Sequence, residues 1–138
     1  GNDAVEIARA YKPGGADLMA CSGGQVSRRQ QPVYGRMFQT PFADRIRNEA
    51  GIATIAVGAI SEADHVNSIV GAGRADLCAI ARPHLANPQW TLMEAAKIAY
   101  VDLEWPKQYR TAKMQLVRNL ERERAAAAAP VSKEGGLQ

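Results

Sequence analysis

The chain has 138 residues, of which 46% are hydrophobic and 22% charged, with a formal net charge of +3. That length supports one domain with its own core, but not a complete (β/α)8 barrel, which takes roughly 250 residues. No apolar run approaches the ~20 residues of a membrane span, so no membrane partner is expected. The two cysteines lack CxxC spacing, which points to buried, reduced thiols and a cytoplasmic setting.

The start, Gly1-Asn2-Asp3, is neither a signal peptide nor an initiator context, as expected of a cytoplasmic fragment or processed piece. Asp3–Lys12 reads as a helix with Val5, Ile7, Ala8 and Tyr11 as its apolar positions, ended by Pro13-Gly14-Gly15. Asp17–Cys21 is a short buried strand. Ser22–Gln39 is an irregular loop too long for a plain connection, and loops of that length are usually functional or mobile. Thr40-Pro41 opens a helix, with Thr40 as N-cap and proline at the first helical position. Phe42, Ile46 and Ala50 line one face of it, and Gly51 closes it.

Ile52–Val57 and Asp76–Ile80 are continuous apolar runs, the pattern of parallel strands covered on both faces. Between them Ser61 caps a helix with Asp64 three positions on, close to a capping box. That helix runs to Val70 and places His65 toward solvent. The tetrads Gly15-Ala16-Asp17-Leu18 and Arg74-Ala75-Asp76-Leu77 form a weak repeat at helix-to-strand junctions. Their aspartates fall at strand N-termini, where an α/β barrel keeps residues for stability. Trp90–Tyr100 and Lys107–Ala129 are further helices, and Pro130–Gln138 reads as a disordered tail. The fold class is α/β: about three parallel strands with helices, the C-terminal portion of a TIM barrel, followed by a helical extension. In domains, 1–106 is the barrel portion, 107–129 a C-terminal helix and 130–138 the tail.

Two strands end in turns that leave backbone amides free, Gly58-Ala59-Ile60 and Ala81-Arg82-Pro83. Successive strand ends of this kind can hold a phosphate monoester, and in a (β/α)8 barrel that site follows strands seven and eight. Basic residues cluster in two places. Arg28, Arg29 and Arg36 share a loop without acids, and residues 107–124 carry six basic residues against two acidic ones. No stacking aromatics are interleaved with them, so solvated surface rather than nucleic-acid binding is the expectation. No metal-ligand spacing and no GxGxxG fingerprint is present. Cys21 has no activating base nearby in sequence, and His84 reads as a surface or cap residue.

The segments Ala56-Val57-Gly58-Ala59-Ile60, Gly73-Arg74-Ala75-Asp76-Leu77 and Ile80-Ala81-Arg82-Pro83-His84-Leu85-Ala86-Asn87-Pro88 together resemble the C-terminal part of old yellow enzyme-like NADH:flavin oxidoreductases. Cys21-Ser22-Gly23-Gly24, Pro41–Arg47 and Trp105–Tyr109 extend the likeness over residues 3 to 110. Gln115–Arg122 resembles the end of bifunctional salicylyl-CoA 5-hydroxylase and anthraniloyl-CoA monooxygenase proteins, in which an FAD monooxygenase domain comes first. The resemblance implies FMN as cofactor, NAD(P)H as reductant, and FAD in an upstream domain. It implies an enone or aryl-CoA thioester as substrate and a homo-oligomeric whole protein. It places Gly58, Ala59, Ala81 and Arg82 on the FMN phosphate, with Ser22 and Gly23 allowing close approach of the cofactor. The family's usual glycine is replaced by Ala81, which keeps the amide only if φ there is negative.

The resemblance also implies that catalytic side chains come from earlier strands, so none is assigned here. An arginine that reaches a neighbouring subunit in similar enzymes is replaced by Thr111, beside Arg110. Taken alone, the chain is expected to be inert and to hold FMN weakly. Two other readings stay open: a phosphate-binding barrel enzyme without flavin, and a non-catalytic oligomerisation module.

Overall fold

Short apolar runs alternate with amphipathic stretches along the first 88 residues, and the computed structural model turns that alternation into a wall of parallel strands backed by helices. It describes residues 2–24, 26–100 and 102–129; the expected tail at 130–138 lies outside them. The elements are α1 (Asn2–Tyr11), β1 (Leu18–Cys21), α2 (Thr40–Ala50), β2 (Ala53–Val57), α3 (Ala63–Gly71), β3 (Leu77–Ala79), α4 (Arg82–Ala86), α5 (Trp90–Lys97) and α6 (Arg110–Ala128), with a 3-10 turn at Lys107–Tyr109. The contacts divide the chain into two units, residues 1–88 and 89–138.

In the first unit the three strands are parallel and lie in chain order, β1-β2-β3. A doubly wound sheet reverses its strand order at a switch point; a barrel wall does not. Sequential parallel order without a reversal is the order of a (β/α)8 wall. Register pairs Ala20 with Ile55 and Ile55 with Leu77 in one row, and Cys21 with Ala56 and Ala56 with Cys78 in the next. These rows face opposite sides. Thr54 and Ala56 are wholly buried under the helices, whereas Leu18, Ala20, Leu77 and Ala79 are exposed. The expectation of two covered faces thus holds for one. The apolar character of the other side is that of a barrel interior.

Small residues let α2 lie close on the strands: Ala43 is fully buried, and Thr54 Oγ1 donates to its carbonyl at 3.4 Å. Proline in the first turn and Gly51 at the end delimit α2. Gly51 has φ 65° and donates its N–H to the Arg47 carbonyl. Cations from α1 finish this end, with Arg9 on the Glu49 carbonyl (2.9 Å) and Lys12 on the Gly51 carbonyl (2.6 Å).

Several local readings need correction. Gln39, not Thr40, takes the N-cap position of α2, and the Thr40 hydroxyl is buried without a partner. Ala43 and Ile46 turn inward while Phe42 is half exposed. Glu62, not Ser61, precedes α3. His65 is buried, because it lies four residues before the fully buried Ile69 and so on the same helix face. Its Nδ1 accepts the Ser61 N–H at 3.3 Å, a bond from the helix back to Ser61 rather than from a serine cap to the helix.

In the second unit α5 and α6 are tied by Arg124, whose Nη2 donates to the Ala96 and Lys97 carbonyls at 3.2 and 2.8 Å. These carbonyls end α5, where a cation is favoured. Lys113 donates to the Leu103 carbonyl at 3.0 Å, beside the buried Trp105.

At the entry to β3, Asp76 accepts the Thr54 N–H (2.8 Å) and both of its oxygens take Arg47 Nε–H at 3.1 Å. The Thr54 amide first, and Arg47 second, hold this carboxyl below its ordinary value of 3.8. The folded value is depressed, so the stabilisation is present above the ordinary value and disappears as pH falls through the folded one. Thermal melts across about pH 5 to 2 should show a steep loss of stability, and Asp76→Asn should flatten it. An equal slope in the variant rules out this carboxyl as an acid-sensitive tie.

Candidate functional site at the strand C-termini

All three strands end at the same edge of the sheet, and the chain leaves each through a turn built for close approach. After β2, Gly58 has φ 105° and Ala59 φ 52°. Positive φ at two successive residues makes the chain turn sharply as it leaves the strand. After β3, Ala81 has φ −107°, so its methyl group imposes no strain and the required negative value is met. The N–H groups that open α4 have no acceptor within the helix. That helix has only five residues, so its amides matter more than a macrodipole.

Gly58, Ala59, Ala81 and Arg82 line one cavity of about 470 Å³, together with Arg36, Ile60 and Ser61. Ser22 and Gly23 line an adjoining cavity of about 300 Å³ whose wall includes Tyr34, Phe38 and Gln39. Gly58 and Arg82 belong to both. The six residues singled out in the sequence are therefore brought together at one place. Neither cavity is lined by an acidic side chain. Tyr34 and Phe38 pack edge to face, 5.3 Å between ring centres, and stiffen the loop between them.

Two contributors have no sequence signature. Gln39 is buried, its Oε1 accepts the Gly23 N–H, and its Nε2 donates to the Val57 carbonyl at 3.3 Å. One carboxamide thus ties the end of β1 to the end of β2. Arg36 reaches the larger cavity because Met37 donates its N–H to the Ala59 carbonyl at 3.2 Å. That bond fastens the arginine's loop to the turn after β2. A glutamine or arginine in a polar loop carries no periodicity, and only the tertiary neighbours reveal its role.

The remaining candidates sort plainly. Cys21 is buried and its thiol is pushed up by desolvation, as is that of Cys78, so neither is an activated nucleophile. His84 is half-buried and lines neither cavity. Arg110 engages Glu104 at 3.4 Å, and Thr111 is exposed. Among the described residues there is no group of three or more metal-ligating side chains, and no helix is long and apolar enough to cross a membrane.

The model of the NADH:flavin oxidoreductase / NADH oxidase family matches residues 17–100. The chain is similar to the NADPH dehydrogenases of Halalkalibacterium halodurans (41% identical over 108 residues, 78% of this chain and 31% of that protein) and Listeria innocua (39% over 110 residues, 80% and 32%). The one from Geobacillus thermodenitrificans is 41% identical over 107 residues, 78% of this chain and 31% of its own. The chain spans about a third of the length of these curated relatives.

A Cβ at Gly58 would run into the Gln39 amide and crowd Phe38, and φ there is positive. Gly58→Ala should therefore cost about 2–4 kcal/mol, because it displaces a buried amide from two partners and strains the backbone. In a Gln39→Ala background the same change should cost only about 1 kcal/mol, the residual strain. Urea midpoints of the four proteins measure this, and additive costs would show that the two residues do not obstruct one another.

Proposed function

The chain belongs to the NADH:flavin oxidoreductase / NADH oxidase family, and on that premise we propose that it supplies the phosphate-binding corner of an FMN site in an NAD(P)H-dependent oxidoreductase. The observation that carries this reading is the convergence of Gly58, Ala59, Ala81 and Arg82 on one cavity at the strand C-termini. That is the ligand-binding edge of an α/β barrel.

The residues present suit an anionic flavin mononucleotide. Gly58 carries no side chain, and the space a Cβ would take is held by Gln39 and Phe38, so the turn sits directly against the loop that bounds the cavity. The amides around 58–59 and 81–82 offer donors, and Arg82 offers a planar fork that matches phosphate oxygens. Ser22, Gly23 and Gly24 leave room in the adjoining cavity for a polar chain leading away from the phosphate. FMN, when bound, supplies hydride transfer between the nicotinamide and a substrate. This chain's part is to grip and orient: Gln39 holds the Gly23 loop against β2, and Asp76 with Arg47 fixes the opposite end of the strands.

We assign no proton donor or substrate-orienting residue to this chain; by family resemblance those belong to earlier strands. The relatives named NADPH dehydrogenase favour NADPH as the donor. An electron-poor alkene is the substrate class the resemblance suggests. The likeness of residues 115–122 to aryl-CoA enzymes supports a CoA thioester as its activated form. The family match runs to residue 100, which supports a barrel portion reaching through α5, with 107–129 read as a helical extension. Homo-oligomerisation of the whole protein and a cytoplasmic setting belong to the same reading.

Stripped of cofactor and titrated by flavin fluorescence, the intact protein should bind FMN roughly 100-fold more tightly than riboflavin, the value of one or two charge-assisted bonds to phosphate. Equal affinities would remove the phosphate site. Binding of inorganic phosphate with no response to FMN would favour a phosphate-binding barrel enzyme that uses no flavin.

A further inference from the structure

Resting on the reading of the larger cavity as a phosphate site, we propose that Arg36 is its second cationic arm, which makes the site selective for a phosphate monoester. Arg36 and Arg82 stand 46 positions apart in the chain yet line the same cavity. Neither side chain makes a hydrogen bond or ion pair with another described residue. Of the other arginines of the first unit, Arg9, Arg45, Arg47 and Arg74 pair with Glu6, Glu49, Asp76 and Asp44, while Arg28 and Arg29 line neither cavity. Two guanidinium groups facing one cavity without a counter-charge repel each other, and an anion between them reverses that term.

The placement of Arg36 is built, not incidental. Its loop turns tightly, with Phe38 donating to the Gly35 carbonyl at 3.3 Å and Thr40 to the Met37 carbonyl at 2.9 Å. Met37 adopts φ 54°, a left-handed position uncommon for a side-chain-bearing residue, and its N–H goes to the Ala59 carbonyl. The turn that contacts the anion and the loop that carries Arg36 are thereby one bonded structure.

The charge count sets the selectivity. A phosphate monoester near neutral pH carries close to two charges and three terminal oxygens, with a second pKa of about 6. The diphosphate bridge of a dinucleotide also carries two charges in all, but spread over two phosphorus centres, with one charge and two such oxygens at each and no terminal phosphate end. Backbone amides plus one arginine suffice for the latter; a second arginine rewards the former. The site thus favours a flavin mononucleotide over a flavin dinucleotide.

The test titrates the intact, cofactor-free protein with FMN, FAD and riboflavin, following flavin fluorescence, for the natural sequence and for Arg36→Gln, Arg36→Lys and Arg118→Gln. Arg36→Gln should weaken FMN by about 10-fold or more, leave riboflavin unchanged and narrow the margin between FMN and FAD. Arg36→Lys should recover part of the loss, since charge returns without the fork. Arg118→Gln, an equal charge change in the second unit, should match the natural protein. Because Arg36 is exposed and unpaired, melting temperatures should not change and a folding defect is separable. If the natural protein prefers FMN over riboflavin and Arg36→Gln keeps that preference in full, the assignment of Arg36 is wrong while the phosphate site stands. If the natural protein shows no preference, both fall.

Discussion

The cavity edge of this protein depends on one buried carboxamide. Gln39 accepts a proton from the Gly23 amide and donates one to the Val57 carbonyl, so a single planar group spans the exits of two adjacent strands. No other residue type of that size offers a donor and an acceptor side by side. A carboxylate would face the Val57 carbonyl with a second acceptor, and a methionine would leave both backbone groups unpaired in a buried place, each at a cost of about 1–3 kcal/mol. The same side chain also fills the space beside Gly58, which makes the glycine obligatory for steric as well as conformational reasons. Strand ends, loop and turn are therefore one constraint, and the cavities are its consequence.

The other end of the strands carries the electrostatics of stability. Asp76 binds the first amide region of β2 and the guanidinium of Arg47, while Arg47 also donates to the Gly73 carbonyl at 2.9 Å. Asp44 and Arg74 pair at 2.9 Å nearby. Together these groups fasten α2 to the turn that enters β3. Each pair is about one-third exposed, so its worth lies less in Coulomb energy than in fixing where the helix meets the strand. Acids and bases are thus matched at the N-terminal end, and arginines are left without partners at the C-terminal end. That polarity is what an α/β barrel with an anionic ligand requires.

Much of this was legible in the sequence where a short-range rule governs. Apolar runs marked β1, β2 and β3 within one residue at each end, because a strand of three to five residues between tight turns has few alternative registers. Gly51 as a left-handed helix end and Asp76 as a strand-entry residue followed from the same local logic. The misreadings share a different cause. Thr40 and Ser61 looked like caps because capping is a local pattern, yet tertiary packing moved each helix start by one residue. His65 was placed outside although its spacing of four from Ile69 put it on the buried face. Gln39 could not be found at all, and Arg36 only as one of a cluster of loop arginines read as solvated surface, since their tertiary neighbours lie 16 to 23 residues away or more and no periodicity encodes them.

The backbone geometry of the cavity carries a last implication about binding. Met37 and Ala59 both hold left-handed conformations that cost on the order of 1 kcal/mol each for residues with a Cβ, and they are joined by a hydrogen bond. Glycine at either place would relieve the strain, but would also let the turn visit many shapes in the free protein. Alanine and methionine narrow those shapes, so the ordering of the amides is largely complete when the chain folds. A ligand that arrives at such a turn loses little to loop ordering. The strain is tolerable because the Gln39 and Met37 bonds overdetermine the turn, and that requirement ties the affinity of the site to the integrity of the loop that approaches it.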